Sequence, residues 1–196
     1  MSVAGPPIVR LNISSSSHIG LTAHRFDIEP IRRELDAHPE LWNEYKGRLN
    51  YPRSPHRHTD DIWLRFAEDN LHDKERKVEG PHTSVWYPAS EQLPTTKALA
   101  LKMFELVEGK ELGGILIIRV PPGKEIYPHV DSGWHAQYYE KFAVQISGHA
   151  RQEFAFEDGS LSALPGESYW LDNTFPHWVL NPTQKAWINM TVCYRK

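Results

Sequence analysis

The sequence predicts a mainly β chain, a jelly roll with flanking α-helices, on three observations. After Gly113 the chain becomes a series of short apolar or alternating runs: GGILIIRV, KEIYPHV, KFAVQIS, RQEFAF, ESYWL, HWVL and AWINMTVCY. These are separated by PPG, SGH, EDGS, PGE, DNTFP and NPTQ. Short strands at near-regular spacing with Gly, Pro and Asn turns favour a sandwich or jelly roll over a βαβ sheet. Before Gly113 there is one strong helical period, and 15 prolines and 7 tryptophans over the whole chain point to many short elements joined by ordered turns. A length of 196 residues suits one domain: residues 1–110 form a mixed helix and loop flank with edge strands, and 111–196 the jelly-roll core that carries the candidate site.

Taken in order, residues 8–13 (IVRLNI) read as a short strand and 14–18 (SSSSH) as a loop. Over 27–36, Ile28, Ile31 and Leu35 fall at helical spacing, with Pro30 tolerated in the first turn. His38-Pro39 interrupts that helix, and 41–45 reads as a further helical turn. A proline-punctuated loop then leads into a strand at 61–66. Residues 67–80 are charged and lack an apolar period, which predicts a surface excursion placed to cover a pocket mouth. The clearest helix is 95–109: Leu99, Met103, Leu106 and Val107 share a stripe, Thr95 or Thr96 can cap it and Gly109 can end it.

Composition narrows the function classes. A formal charge of -3 supplies no general basic field, so no nucleic-acid partner is expected. The one cysteine, Cys193, excludes an internal disulfide framework and a cysteine-based zinc site. No run of about 18 apolar residues and no leader pattern is present, so no membrane span is expected and the expected location is cytoplasmic.

His129 and Asp131 stand at i and i+2 in an alternating run after a Pro-Pro-Gly turn. In a strand both point the same way, roughly 6.6 Å apart along the backbone, which makes a two-point metal clip. His177 opens a later run, 46 positions beyond Asp131, and a folded-back strand brings such a residue alongside. Two imidazoles and one carboxylate leave coordination positions open, the arrangement of non-haem Fe(II) oxygenases. A second His-x-Asp pair, His58 and Asp60, lacks such a partner. His56, His58, His72, His82, His135 and His149 read as solvated surface residues.

Strand parity sorts the neighbours. In KFAVQIS, Lys141, Ala143, Gln145 and Ser147 share a face opposite Phe142, Val144 and Ile146; in the last run, Lys185, Trp187, Asn189, Thr191 and Cys193 oppose Ala186, Ile188, Met190 and Val192. If the polar-tolerant faces look inward, Lys141, Gln145 and Asn189 become candidate groups for an organic acid beside the metal. Trp134, Trp170, Trp178 and Trp187 are candidate pocket walls.

At these residues the chain resembles the aspartyl/asparaginyl β-hydroxylase-like family of Fe(II)/2-oxoglutarate oxygenases, a branch of the double-stranded β-helix, cupin-type superfamily. The resemblance rests on LWNEYKGRLNYPRSPHRHTDDIWLRF, GGILIIRVPPGKEIYPHVDSG and PGESYWLDNTFPHWVLN and runs from Leu41 to the carboxyl terminus. It implies a double-stranded β-helix, His129, Asp131 and His177 as iron ligands, and a basic residue for the distal carboxylate of 2-oxoglutarate. It also implies Fe(II), 2-oxoglutarate and dioxygen as cofactor and cosubstrates, and hydroxylation of a C–H bond in a small-molecule or peptide substrate, an amino-acid side chain. Where the family usually carries arginine, this chain has Lys141 and Trp187, so Lys141 is the first candidate anchor, Lys185 the second, and Arg65 and Arg119 are remoter. The missing arginines keep open a cupin-type metalloenzyme without 2-oxoglutarate, such as an isomerase or another dioxygenase. A non-catalytic metal-binding module is the third reading.

Overall fold

The computed structural model describes residues 16–196. The strand expected over 8–13 lies outside the described residues. In chain order the elements are β1 (Ile19–Arg25), α1 (Glu29–Ala37), β2 (Asp60–Ala67), α2 (Asp69–His72), β3 (Ser84–Trp86), α3 (Ala89–Gln92) and α4 (Pro94–Leu106). There follow β4 (Glu111–Val120), β5 (Glu125–His129), α5 (Trp134–Tyr138), β6 (Glu140–Ser147), β7 (Glu153–Phe156), β8 (Gly159–Leu161), β9 (Glu167–Leu171), β10 (His177–Leu180) and β11 (Trp187–Arg195). The strands form a seven-stranded sheet in the order β1-β9-β6-β11-β4-β2-β3 and a four-stranded sheet in the order β5-β10-β7-β8. All strand pairs are antiparallel. This is the jelly roll with flanking helices that the strand runs predict. Among the described residues no helix is long and apolar enough to cross a membrane.

The centre of the large sheet is buried on both faces, and in β6 and β11 parity sorts the residues into two layers. Phe142, Val144 and Ile146 of β6 and Met190 and Val192 of β11 pack with Ile31 and Leu35 of α1 and Ala100 and Met103 of α4. The opposite residues of the same strands, Ala143 and Trp187, pack with Ile126, Phe154, Phe156 and Val179 of the small sheet. The polar-tolerant faces of β6 and β11 therefore look into the space between the sheets. There Asn189 stands opposite Gln145 and Cys193 opposite Lys141.

Several local expectations are corrected. The helical turn expected over 41–45 is replaced by a 3-10 turn at Pro39–Leu41. Asn43 then adopts φ 63° and draws the chain onto β2, donating from Nδ2 to Asp60 and accepting from the Asp61 N–H. Neither Thr95 nor Thr96 caps α4. The Glu34 carboxylate of α1 does so, accepting from the N–H groups of Thr95 (2.6 Å) and Thr96 (2.8 Å) and tying the two helices together. The expected stripe is rotated: Thr96, Ala100 and Met103 are buried, whereas Leu106 is exposed. Glu108, at φ 55°, makes the left-handed turn that ends the helix, and a side chain at Gly109 would collide with the Phe104 ring 2.2 Å away. Strand β1, the short strands β3 and β8, and helices α2, α3 and α5 are additions to the predicted elements. Only Ile19 of β1 is buried, so its apolar pattern is faint.

Candidate metal centre and cavity

Strands β5 and β10 pair antiparallel with His129 directly opposite His177. Their ring centroids lie 4.3 Å apart. Each imidazole spends Nδ1–H on a backbone carbonyl two residues earlier, His129 on Tyr127 (2.7 Å) and His177 on Phe175 (2.8 Å). With Nδ1 carrying the proton, Nε2 of each ring keeps its lone pair, the tautomer a metal-binding histidine needs. Nε2 of His129 is buried without a hydrogen-bond partner, and its 3.5 Å separation from Asp131 Oδ1 is too long for a strong bond. A buried lone pair beside a carboxylate fits a cation.

Asp131 is oriented from the other side. Its carboxylate accepts from Asn173 Nδ2, and its N–H donates to the Asn173 carbonyl at 3.1 Å. Burial alone pushes the Asp131 carboxyl up, but His129, His177 and His56 around it hold it well below the usual carboxylate range. Burial holds His177 below the ordinary histidine value, partly opposed by Asp131, which keeps its ring neutral and able to ligate. Asn173 carried no signal in the strand pattern because it sits in the turn before β10. Asn173→Ala removes the side-chain half of this clamp; metal affinity is expected to fall about 10–100-fold with the fold intact, measured by competition with a chromophoric chelator.

His56 was expected at the surface and is instead buried, 8% exposed, with Nδ1 lacking any hydrogen-bond partner. One ligand atom from each of His56, His129 and Asp131 can be chosen so that all lie within 4.8 Å of one another. Burial, with the charge of Arg48 and the neighbouring His129, drives its imidazole well below the ordinary pKa. His135 is likewise no solvated residue. It accepts the Gly114 N–H at Nε2 (3.3 Å) and meets His82 Nε2 through Nδ1 at 3.1 Å. Burial, then Lys141 and His82, pushes its pKa down to about 2. The stacked His82–His135 pair joins the segment just after the 67–80 excursion to α5.

These groups surround a cavity of about 330 Å³. The excursion covers it as its charge pattern predicted, contributing Asn70, Arg76, Lys77, Val78 and Glu79. Lys141 and Asn189 line it. Lys141 donates to the carbonyls of Ala136 (3.2 Å) and Tyr139 (2.8 Å), which leaves one of its three N–H bonds free. Asn189 Oδ1 is buried and unpartnered.

The other anchor candidates are placed elsewhere. Lys185 is exposed, because β11 begins only at Trp187 and Lys185 belongs to the preceding turn. Gln145 is fully buried on the expected face, but its amide is spent on the carbonyls of Ser147 and Ile188 at a register shift, away from the cavity lining. Arg65 bonds the Leu112 carbonyl and Arg119 pairs with Asp60. Of the four tryptophans expected as walls, Trp187 lines the cavity, joined by Trp63, whose buried Nε1–H has no partner. Trp170 is exposed over Gly20, Trp134 stacks on Tyr138, and Trp178 points to the opposite face of β10 from His177.

No family model matches the sequence, and no curated protein matches it. Solved structures do match. A prolyl hydroxylase from Trichoplax adhaerens, in complex with a hypoxia inducible factor oxygen degradation domain peptide fragment, has a TM-score of 0.60 at 11% identity, covering 91% of this chain and 84% of that one. A 2OG-Fe(II) oxygenase family oxidoreductase from Burkholderia pseudomallei has a TM-score of 0.55 at 13% identity, covering 90% and 84%. A Pseudomonas putida prolyl-4-hydroxylase has a TM-score of 0.50 at 16% identity, covering 92% and 94%. The chain is therefore a mainly β jelly roll with flanking helices, similar in fold to these three structures.

Proposed function

We propose that this chain is an Fe(II)/2-oxoglutarate-dependent oxygenase that hydroxylates a C–H bond of an amino-acid side chain, free or within a peptide. The observation that carries the reading is the facing pair His129 and His177, both with Nδ1 spent on backbone so that each Nε2 keeps its lone pair, with the Asp131 carboxylate 3.5 Å from His129 Nε2. The fold-level likeness to prolyl hydroxylases and the sequence resemblance to the aspartyl/asparaginyl β-hydroxylase-like family support the substrate class.

His129, Asp131 and His177 are the residues that would hold the iron. Bound there with 2-oxoglutarate and dioxygen, it supplies the oxidising chemistry, with succinate and carbon dioxide as coproducts. Lys141 meets the distal carboxylate of 2-oxoglutarate with its remaining N–H, and the indole N–H of Trp63 offers a further donor from the cavity wall. Ile118, Val179 and Trp187 keep water from the reacting bond. The 67–80 excursion admits the substrate.

A second reading, metal chemistry without 2-oxoglutarate, is favoured by one observation: Arg48, which lines the cavity, has its charge already paired with the buried Asp61 through Nε and Nη2. Succinate release separates the two. The proposal expects Fe(II)- and dioxygen-dependent succinate formation that rises with the right amino acid or peptide. A charge-assisted hydrogen bond is worth about 1.5–3 kcal/mol, so Lys141→Ala is expected to weaken 2-oxoglutarate binding about 10–100-fold. Iron-loaded protein that releases no succinate across a screen of free and peptide-bound amino acids favours the second reading.

A further inference from the structure

We infer that the substrate is a free α-amino acid, taken by the charged roof of the cavity through its carboxylate and its ammonium, and not a residue within a peptide. The inference rests on the reading of the cavity as an iron and 2-oxoglutarate site and narrows the substrate that reading leaves open.

The first argument is how the roof is fastened. Residues 74–79 of the excursion are tied along one margin to the loop between α1 and β2. Lys46 N–H donates to the Lys74 carbonyl (2.8 Å), Asn50 Nδ2 to the Glu75 carboxylate (2.7 Å) and Lys74 Nζ to the Glu44 carboxylate (2.7 Å). The Arg76 carbonyl packs so closely on Gly47 that a side chain there would meet its oxygen at 2.0 Å, so glycine alone admits the roof at this height. The other margin is tied to the turn after Asp131, where the Trp134 N–H donates to the Glu79 carbonyl (2.9 Å). Fastened on both margins, the segment roofs a pocket and does not flank an open groove of the kind that receives an extended peptide.

Volume is the second argument. About 330 Å³ lies at the low end for small-molecule sites, roughly 300–1,000 Å³, and 2-oxoglutarate takes part of it. The remainder suits a molecule of amino-acid size.

Charge is the third. Arg76, Lys77 and Glu79 all line the cavity. Lys77 Nζ lies 4.1 Å from the ring centroid of Tyr51, another lining residue, which fixes the ammonium at the cavity wall. Its ion-pair partner is Glu79, at 2.6 Å, and Arg76 pairs with Asp69 at 3.1 Å; the four side chains are between 42% and 65% exposed. Ion pairs this exposed contribute little, so each partner is exchanged for the opposite charge of a ligand at small cost. A free α-amino acid carries a carboxylate and an ammonium on one carbon. Lys77 and Arg76 suit the first and Glu79 the second. Within a peptide both of those charges are gone, and the array loses its complement.

The test adds the twenty common L-amino acids, each free and as its N-acetyl amide, to protein loaded anaerobically with Fe(II) and 2-oxoglutarate, and follows the metal-to-ligand charge-transfer band. At least one free amino acid is expected to shift the band, with a dissociation constant at least about tenfold tighter than that of its N-acetyl amide. Lys77→Gln and Glu79→Gln are each expected to weaken that amino acid about tenfold, and Lys77→Arg to retain it. A roof residue that only shapes the fold would weaken the free and blocked forms alike. A band that no free amino acid shifts, or that the N-acetyl amide shifts equally well, overturns the inference and leaves the 2-oxoglutarate reading standing. Undiminished affinity in both Lys77→Gln and Glu79→Gln overturns it too. Absence of the band contradicts the proposed function itself.

Discussion

His129→Ala is expected to abolish turnover and to weaken metal binding by at least about a hundredfold, more than loss of any supporting hydrogen bond in a metal site. Folding is expected to survive. The substitution removes a buried nitrogen that has no partner in the metal-free protein, so the group deleted contributes a penalty as well as packing. Metal-linked stability separates the two effects. An ion that binds only the folded state adds about 2.7 kcal/mol at a hundred times its dissociation constant. The unaltered protein is therefore expected to melt several degrees higher with saturating Mn(II) or Co(II), and His129→Ala to show no such rise from a similar metal-free Tm. His177→Ala is expected to behave alike. Differential scanning calorimetry with and without metal checks both.

Arg48→Ala is expected to destabilise the fold by about 3–5 kcal/mol at neutral pH, the cost of leaving a buried charge without its partner. Asp61 is fully buried, and Arg48 holds it through Nε (2.5 Å) and Nη2 (3.3 Å), with Thr59 Oγ1 adding a third bond at 3.3 Å. Burial raises the Asp61 pKa, and the Arg48 charge and hydrogen bonds oppose that rise. A carboxyl with a raised folded pKa binds its proton more tightly when folded. Its contribution is therefore most favourable in acid and is lost as pH climbs from the unfolded value, about 3.9, through the folded one. Without Arg48 the folded pKa rises further and the loss extends to higher pH. The stability gap between variant and unaltered protein should thus narrow as pH falls through that window. Asp61→Asn leaves only the partly exposed Arg48 unpaired and is expected to cost less. Urea unfolding of the three proteins across a pH series checks the sign.

The parts of this architecture written as a period of two were readable from the residues. The strand faces of β6 and β11, the inward direction of Lys141 and Asn189 and the pairing of His129 with His177 all follow from alternation plus one fold-back. The misreadings have local causes. Lys185 shares parity with Asn189, but parity holds only within a strand, and β11 starts two residues later. Gln145 has the right face, yet the register shift beside it offers its amide two carbonyls. His56 sits in a proline-rich loop where no period reports burial. The nearby His-x-Asp pair, His58 and Asp60, is no second clip, since Asp60 serves Asn43 and Arg119. The signal that marks His56 is its flanking Ser54 and Thr59, hydroxyls spaced to clamp a tight turn. Asn173 and Trp63 emerge only from three-dimensional bookkeeping of polar atoms.

The most direct test is an anaerobic titration of Fe(II)-loaded protein with 2-oxoglutarate, followed in the visible range. Bidentate binding of the keto acid to iron is expected to produce a metal-to-ligand charge-transfer band that saturates at one equivalent. The band should be absent in His177→Ala and require about 10–100-fold more 2-oxoglutarate in Lys141→Ala. No band from protein carrying stoichiometric iron would contradict the proposed cosubstrate and leave a metal site that serves another reaction.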